Sequence, residues 1–332
     1  MQITRDQVAK LAKVSSATVS RVFNNPEAVS PPLREAVLLA AKNLGYTPNK
    51  AAGVLRRRGT GAIAFVELQK EGRPYYWGNL ESFDWFFGRS IRGVQAAIKE
   101  SSWQLRFYKV KTKKELLAIT HHCDGILAYD VDTEEEVDLF RDLKVPYVLS
   151  HHLGKEEAPS VVVTDNYYGG VLQAEFLKGE GCAKPLYITG FLDSVVPHKE
   201  RLEGFLSLFP QTKILETNIG AQDSILSILD RVKMEYQAGA IDSIAAVNDL
   251  TLFDLLIKSR ITLPSVGYDA SPFYRLFSGP LASVDIQSGE IYRKATLKLL
   301  SLVGGAEPGR QTVLPKLVKL MALPEGSDTL KW

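Results

Sequence analysis

From Ala62 onward, short apolar runs alternate with helix-length amphipathic stretches, and this alternation limits the fold more than any other feature of the chain. The runs "AIAFVEL", "LRFYKV", "GILAYD" and "PYVLSHH" form a first series. A second series follows in "SVVVTD", "PLYITG", "KILETNI", "IAAVND" and "PSVGYD". Between them lie "SIRGVQAAIKE", "KKELLAITHH" and "EEEVDLFRDL", then further helices starting near Tyr167, Lys199, Ser224 and Leu250. Strand followed by helix, repeated, predicts parallel sheets covered on both faces. Two series predict two lobes, with ligand in the crevice outside the carboxyl ends of the strands.

The amino-terminal part follows a different pattern. Val8, Leu11 and Ala12 form an apolar stripe after the Thr4/Gln7 capping pattern, which predicts a short helix from Arg5 to Ala12. A tight connection through Lys13 and Val14 leads to Ser15, a good N-cap for a second helix. In that helix Val19, Val22 and Phe23 share one face, and Ala17, Arg21 and Asn24 lie opposite, with Ser16 at the leading end. Ser30 and Pro31 open a third helix whose inner face is Leu33, Val37, Ala40, Ala41 and Leu44, with Gly45 placed to end it. Two short helices joined by a tight turn and backed by a third make a helix-turn-helix arrangement. Small side chains beside one arginine suit close approach to base edges, and arginine bonds guanine bidentately. On pattern alone, a plain three-helix bundle with a wet face remains open.

Charge separates the same two parts. Residues 1–60 hold ten Lys/Arg against three Asp/Glu, a net of +7, so the rest of a chain of net charge +2 stands at −5. A basic module joined to a mildly acidic body is the footprint of a nucleic-acid reader with a second domain. The 332 residues suit two or three domains. Two cysteines, Cys123 and Cys182, fit buried packing in a reducing compartment. No apolar run approaches the roughly 18 residues of a membrane span, and the start lacks a signal-peptide core, so the expected location is the cytoplasm, at the nucleoid. There is neither a G-x-S-x-G nor a P-loop, and no ligand spacing for a metal. We therefore expect no catalytic residue, no cofactor and no enzyme activity. Gly59, Gly61 and Ala64 fit G-x-G-x-x-A, but that pattern follows a strand in dinucleotide sites, and here it precedes one.

The motifs "VAKLAKVSSATVSRVFN", "VSPPLREAV" and "LGYTPN", in order over about sixty residues, closely resemble the amino-terminal segment of the lactose/galactose repressor (LacI/GalR) family. Looser matches, "IRGVQAAI", "CDGIL", "VVVTDNYYGG", "ERLEGF", "AAVND" and "VGYDASPFYRLFSGPLASV", extend the resemblance over nearly the whole chain. It implies a small all-α helix-turn-helix DNA-binding domain (1–46), a hinge helix and linker (47–59), and an α/β two-lobed effector domain like periplasmic binding proteins (60–332). The first lobe is expected at about 60–162 and 287–312, the second at about 163–286 and 313–325.

By that resemblance Ser16, Ala17 and Arg21 read bases, whereas Thr18, Ser20 and Asn24 bond phosphates. In the hinge, Asn49 caps a short helix, Ala52 meets the partner helix, and Leu55 wedges into the minor groove beside Arg56. Gly53 and Val54 replace the polar pair common there, and Gly53 costs a helix about 1 kcal/mol. Effector contacts are expected at Arg201, Asn248 and Asp269, whose paired donors and acceptors suit vicinal hydroxyls. Trp85 or Phe86 offers a stacking face, with core packing as the alternative. His151 and His152 stand where many relatives have Asp-Arg; His151 is an effector candidate, with a hydrogen-bonded surface pair as the alternative. Asp165 reads as the cap of the helix beginning at Asn166, and "QKEGRPYYWGNLES" as a lid or dimer contact. The resemblance implies a repressor that binds a pseudo-palindromic double-stranded operator as a homodimer, under control of a sugar-like effector. The alternatives are a purine- or other metabolite-responsive regulator, and a solute-binding protein with an incidental basic amino terminus.

Overall fold

The computed structural model describes residues 5–24, 29–44, 46, 59–70, 84–150, 160–193, 195–219, 224–273, 277 and 280–319. The chain forms two compact units, Met1–Gly59 and Thr60–Trp332.

The first unit holds α1 (Arg5–Leu11), α2 (Ser16–Asn24) and α3 (Pro31–Leu44). Lys13 turns between α1 and α2 with φ 53°, and the Thr18 N–H donates to Ser15 Oγ at 3.1 Å, which makes Ser15 the cap of α2. Val8, Ala9, Val19, Val22, Val37, Ala40 and Ala41 form the core, and Phe23 packs at its edge against Tyr46. Two expectations fail here. Leu11 is 51 % exposed and Ala9 is buried in its stead, because the inward arc of α1 runs through Val8, Ala9 and Ala12 and leaves Leu11 about 100° away. Leu33 is 42 % exposed, because it sits in the first turn of α3, ahead of the buried stretch from Val37 to Ala41.

The second unit has two six-stranded sheets. The first is built of β1 (Ala62–Leu68), β2 (Gln104–Val110), β3 (Gly125–Tyr129), β4 (Tyr147–Ser150), β5 (Ser160–Thr164) and β11 (Gly309–Val313), in the order β11-β5-β4-β3-β1-β2. The second is built of β6 (Pro185–Thr189), β7 (Lys213–Glu216), β8 (Ser243–Ala246), β9 (Ser265–Tyr268), β10 (Leu281–Asp285) and β12 (Lys316–Lys319), in the order β12-β10-β9-β8-β6-β7. Among the described residues all pairings are parallel except β10 with β12. Interior strands such as β3 and β5 are buried along their whole length, as a parallel strand covered on both faces must be, while the edge strands β2 and β7 alternate with solvent.

The run "SVVVTD", expected to head the second series, is β5 and belongs to the first sheet between β4 and β11. Its partner β11 lies about 150 positions further along, and no local pattern marks where one sheet ends and the next begins. The chain leaves the first lobe at Asp165, whose carboxylate caps α7 (Asn166–Gly179) by accepting the Tyr168 N–H at 2.9 Å. It returns to the first lobe through α11 (Ser288–Val303), and crosses a third time between β11 and β12. Gln287, at φ 59°, donates its side-chain amide to the Leu314 carbonyl, and the Asp165 N–H bonds the Val313 carbonyl at 3.3 Å, so the three crossings are tied together.

Candidate functional site

In the first unit α2 presents an exposed face. Ala17 and Arg21 are exposed, whereas Val19 and Val22 are buried beneath them. Ser16 is half-buried and its hydroxyl donates to the Asp6 carboxylate. Thr18 Oγ1 lies 2.9 Å from Ser15 Oγ. Ser20 and Asn24 lie in the helix, but their side chains fall outside the described residues, as do Asn49, Ala52, Leu55, Arg56, His151, His152 and nearly all of "QKEGRPYYWGNLES".

In the second unit the strands deliver polar side chains at their carboxyl ends. Arg201 projects from α8 (Val196–Leu206), which opens three residues ahead of the expected Lys199 with Pro197 in its first turn. The guanidinium is buried. Nε donates to Asn166 Oδ1 at 3.0 Å, one terminal nitrogen donates to the Val247 carbonyl at 2.8 Å, and the other lies 4.0 Å from Asp269. Its carbon stands 3.8 Å above the Tyr268 ring.

Asp269 follows β9 at φ 91°, a region that favours glycine. Its N–H bonds the Val284 carbonyl at 2.7 Å. Asp249, the first residue of α10 (Asp249–Ser259), holds the next turn by accepting from the Ser271 N–H at 2.6 Å and from Ser283 Oγ at 2.7 Å. Gly267 is required here, since a Cβ would stand 2.0 Å from Asp249 Oδ1. Burial pushes the Asp269 carboxyl up to about 6, with Arg201 pulling the other way and Asp130 adding to the rise. Asn248 caps α10 through Oδ1, accepting the Thr251 N–H at 2.8 Å, and its buried Nδ2 has no partner among the described residues.

The first lobe contributes a group that the sequence reading missed. Asp130 follows β3 at φ 54°, its N–H bonded to Tyr292 Oη at 3.1 Å and its carbonyl to Lys70 Nζ. Lys70 is buried; burial works against its charge, but Asp132 at 3.0 Å, Asp130 at 3.8 Å and Glu136 at 3.2 Å outweigh it and hold the amine well above its ordinary range. Burial raises Asp130, while Lys70 and the Arg201 of the other lobe pull it down, so charges of the two lobes act on each other across the crevice. The signal lay in the wording: "AYD" and "GYD" each end a strand in Tyr-Asp, and both aspartates turn to positive φ.

Trp85, at the start of α4 (Asp84–Ile98), is half-buried with the Arg89 guanidinium 4.7 Å over its ring. Arg89 also acts on the Asp269 carboxyl, favouring its charged form. Phe86 is 2 % exposed and packs between Trp85 and Tyr129, so its part is core packing and not a stacking face.

A small helix-turn-helix module with an exposed arginine, followed by two mostly parallel sheets with buried charged groups at the carboxyl ends of their strands, is the build shared by ligand-responsive DNA-binding regulators. Residues 4–49 match the family described as "Bacterial regulatory proteins, lacI family". The chain is 28 % identical over 318 residues to the HTH-type transcriptional regulator CelR of Thermobifida fusca, covering 90 % of each. It matches the structure of a transcriptional regulator CelR–cellobiose complex at 26 % identity and TM-score 0.64, over 96 % of this chain and 99 % of that one. The lac repressor dimer bound to operator and the anti-inducer ONPF shares the fold at 21 % identity and TM-score 0.59, over 96 % and 98 %. The amino-terminal unit is a lacI-family helix-turn-helix domain, and the chain is similar to transcriptional regulators of that family over most of its length.

Proposed function

We propose that the chain represses transcription from the cytoplasm without enzymatic activity of its own. In this reading it binds a pseudo-palindromic operator as a homodimer and responds to a small sugar-like effector held between the lobes. The observation that carries the effector half is the buried Arg201–Asp269 pair facing Asp130 across the crevice. The cellobiose bound by the CelR complex and the operator bound by the lac repressor dimer support the reading by similarity. Ser16, Ala17 and Arg21 read bases, Thr18, Ser20 and Asn24 fix register on phosphates, and Leu55, flanked by Asn49, Ala52 and Arg56, enters the minor groove. Effector in the cleft shifts the angle between the lobes through the three tied crossings, and so the order of the hinge. Such coupling is reciprocal and typically ~1–3 kcal/mol.

Mobility-shift titrations with a selected operator test this. Arg21→Ala is expected to cost about 1–3 kcal/mol and relax preference at one base position. Leu55→Ala is expected to lower both affinity and DNA bending. Retained affinity and base preference in Arg21→Ala would refute the base-reading role.

A further inference from the structure

Asp124, in the motif "CDGIL", stands immediately before β3 and holds the first residues of the second unit. Its two carboxylate oxygens accept the Thr60 N–H at 2.6 Å and the Gly61 N–H at 2.7 Å, and its own N–H bonds the Ala62 carbonyl at 2.8 Å. Bonds from amides to a carboxylate are roughly twice as strong as neutral ones. Gly61 lies at φ 66°, so the chain bends there and two successive amides meet one carboxyl group. Thr60 opens the second unit, and this clasp therefore fixes the point from which residues 47–59 depart.

A second clasp closes the other end of the same two strands. β1 and β3 run parallel, in register from Ile63 opposite Gly125 to Glu67 opposite Tyr129. Just beyond β1, Lys70 bonds the Asp130 carbonyl and lies 3.0 Å from Asp132, and both aspartates stand just beyond β3. Residues flanking β1 are thus held by residues flanking β3 at both ends, about 20 Å apart. β3 is buried along its whole length between β1 and β4, and such packing transmits displacement instead of absorbing it.

The second lobe supplies the comparison. Asp242, immediately before β8, accepts the Ala183 N–H at 2.7 Å and the Lys184 N–H at 2.9 Å ahead of β6, and its own N–H bonds the Lys184 carbonyl at 3.0 Å. The clasp at the amino ends therefore belongs to both sheets, but it holds different things. In the second lobe the held residues follow α7, inside the lobe; in the first they follow the segment that joins the two units. Beyond β6 stand Gly190, Phe191 and Leu192, none of which carries a charge in place of Lys70.

We propose that the β1–β3 pair is a strut that carries the position of the crevice end of the first lobe to the linker, and that Asp124 is the positioning residue at the linker end. The proposal rests on the reading of residues 47–59 as the linker of an operator-binding regulator.

Asp124→Asn keeps the shape of the side chain but sets an amide donor against one of the two backbone N–H groups. Asp242→Asn does the same in the second lobe and is the control. In mobility-shift titrations of the full chain with a selected operator, Asp124→Asn is expected to bind about tenfold more weakly or worse, and Asp242→Asn within about twofold of wild type. Thermal denaturation is expected to show both variants destabilised. Equal losses of operator affinity in the two, or wild-type affinity in Asp124→Asn, overturn the proposal. Asp124→Ser, with Asp242→Ser beside it, takes over if Asp124→Asn does not fold. Hydrogen exchange reads the strut without operator. Lys70→Met opens the far clasp and is expected to speed exchange of the Thr60 and Gly61 amides about tenfold, with those of Ala183 and Lys184 unchanged. Asp132→Asn serves if Lys70→Met does not fold. Unchanged exchange at Thr60 and Gly61, or equal acceleration at Ala183 and Lys184, overturns the strut. A wild-type chain that binds no operator overturns the regulator reading instead, and exchange alone then decides the strut.

Discussion

At the scale of single residues, Asp269 makes the crevice sensitive to pH. Its carboxyl is raised to about 6 by burial, above its ordinary value near 3.8, so the fold favours the neutral form. Linkage gives the sign: this group contributes stability to the unliganded chain below about pH 4, and that contribution is lost as pH rises through 6. In the proposed reading a hydroxyl-bearing effector bonds the carboxylate, so its affinity is expected to be full above neutrality and to fall as pH drops through 6. The groups that face Asp269 are Arg201, Asp130, Asp285 and Arg89, and His198, pushed down to about 3, does not titrate in this window. Calorimetry is therefore expected to give about tenfold weaker effector binding at pH 5 than at pH 7. A flat profile would remove Asp269 from the contact set.

At the scale of elements, the pairing of α7 with α8 decides where Arg201 stands. The two helices cross so closely that a Cβ on Gly170 would lie 1.9 Å from the Arg201 carbonyl, and one on Gly204 would lie 1.9 Å from the Tyr167 carbonyl. Both obstacles are backbone, which cannot swing aside as a side chain does. Gly204→Ala is expected to destabilise the second unit by about 1–3 kcal/mol and to weaken effector binding together with it, read by thermal denaturation and calorimetry. Wild-type stability in that variant would mean that the helices separate at little cost. The sequence marked α7 and α8 and the cap at Asp165, because periodicity and capping chemistry act within a few residues. It did not mark the glycine crossing, because the two glycines lie 34 positions apart and only packing brings them together. Asn166 was missed for the same reason: its amide oxygen orients Arg201, 35 positions away.

At the scale of the whole molecule, the two compact units predict separable functions. A fragment beginning at Thr60 is expected to keep effector affinity within about threefold and to lose operator binding, while in the full chain saturating effector shifts operator affinity about 5–150-fold. Loss of effector binding in the fragment would show that the first unit helps to build the crevice.

The sequence by itself determined the class of each unit, the helix-turn-helix order and its Ser15 cap, the strand–helix alternation, and the candidates Arg201, Asn248 and Asp269. These follow from period, cap and wording, which are written in neighbouring residues. Only the tertiary structure decided that β5 joins the first sheet, that Phe86 is core, and that Asp130, held beside the buried Lys70, comes within electrostatic reach of Arg201 in the second lobe. Each of these depends on which distant segments are brought into contact, and on the burial that contact creates, and neither is a property of any local stretch of chain.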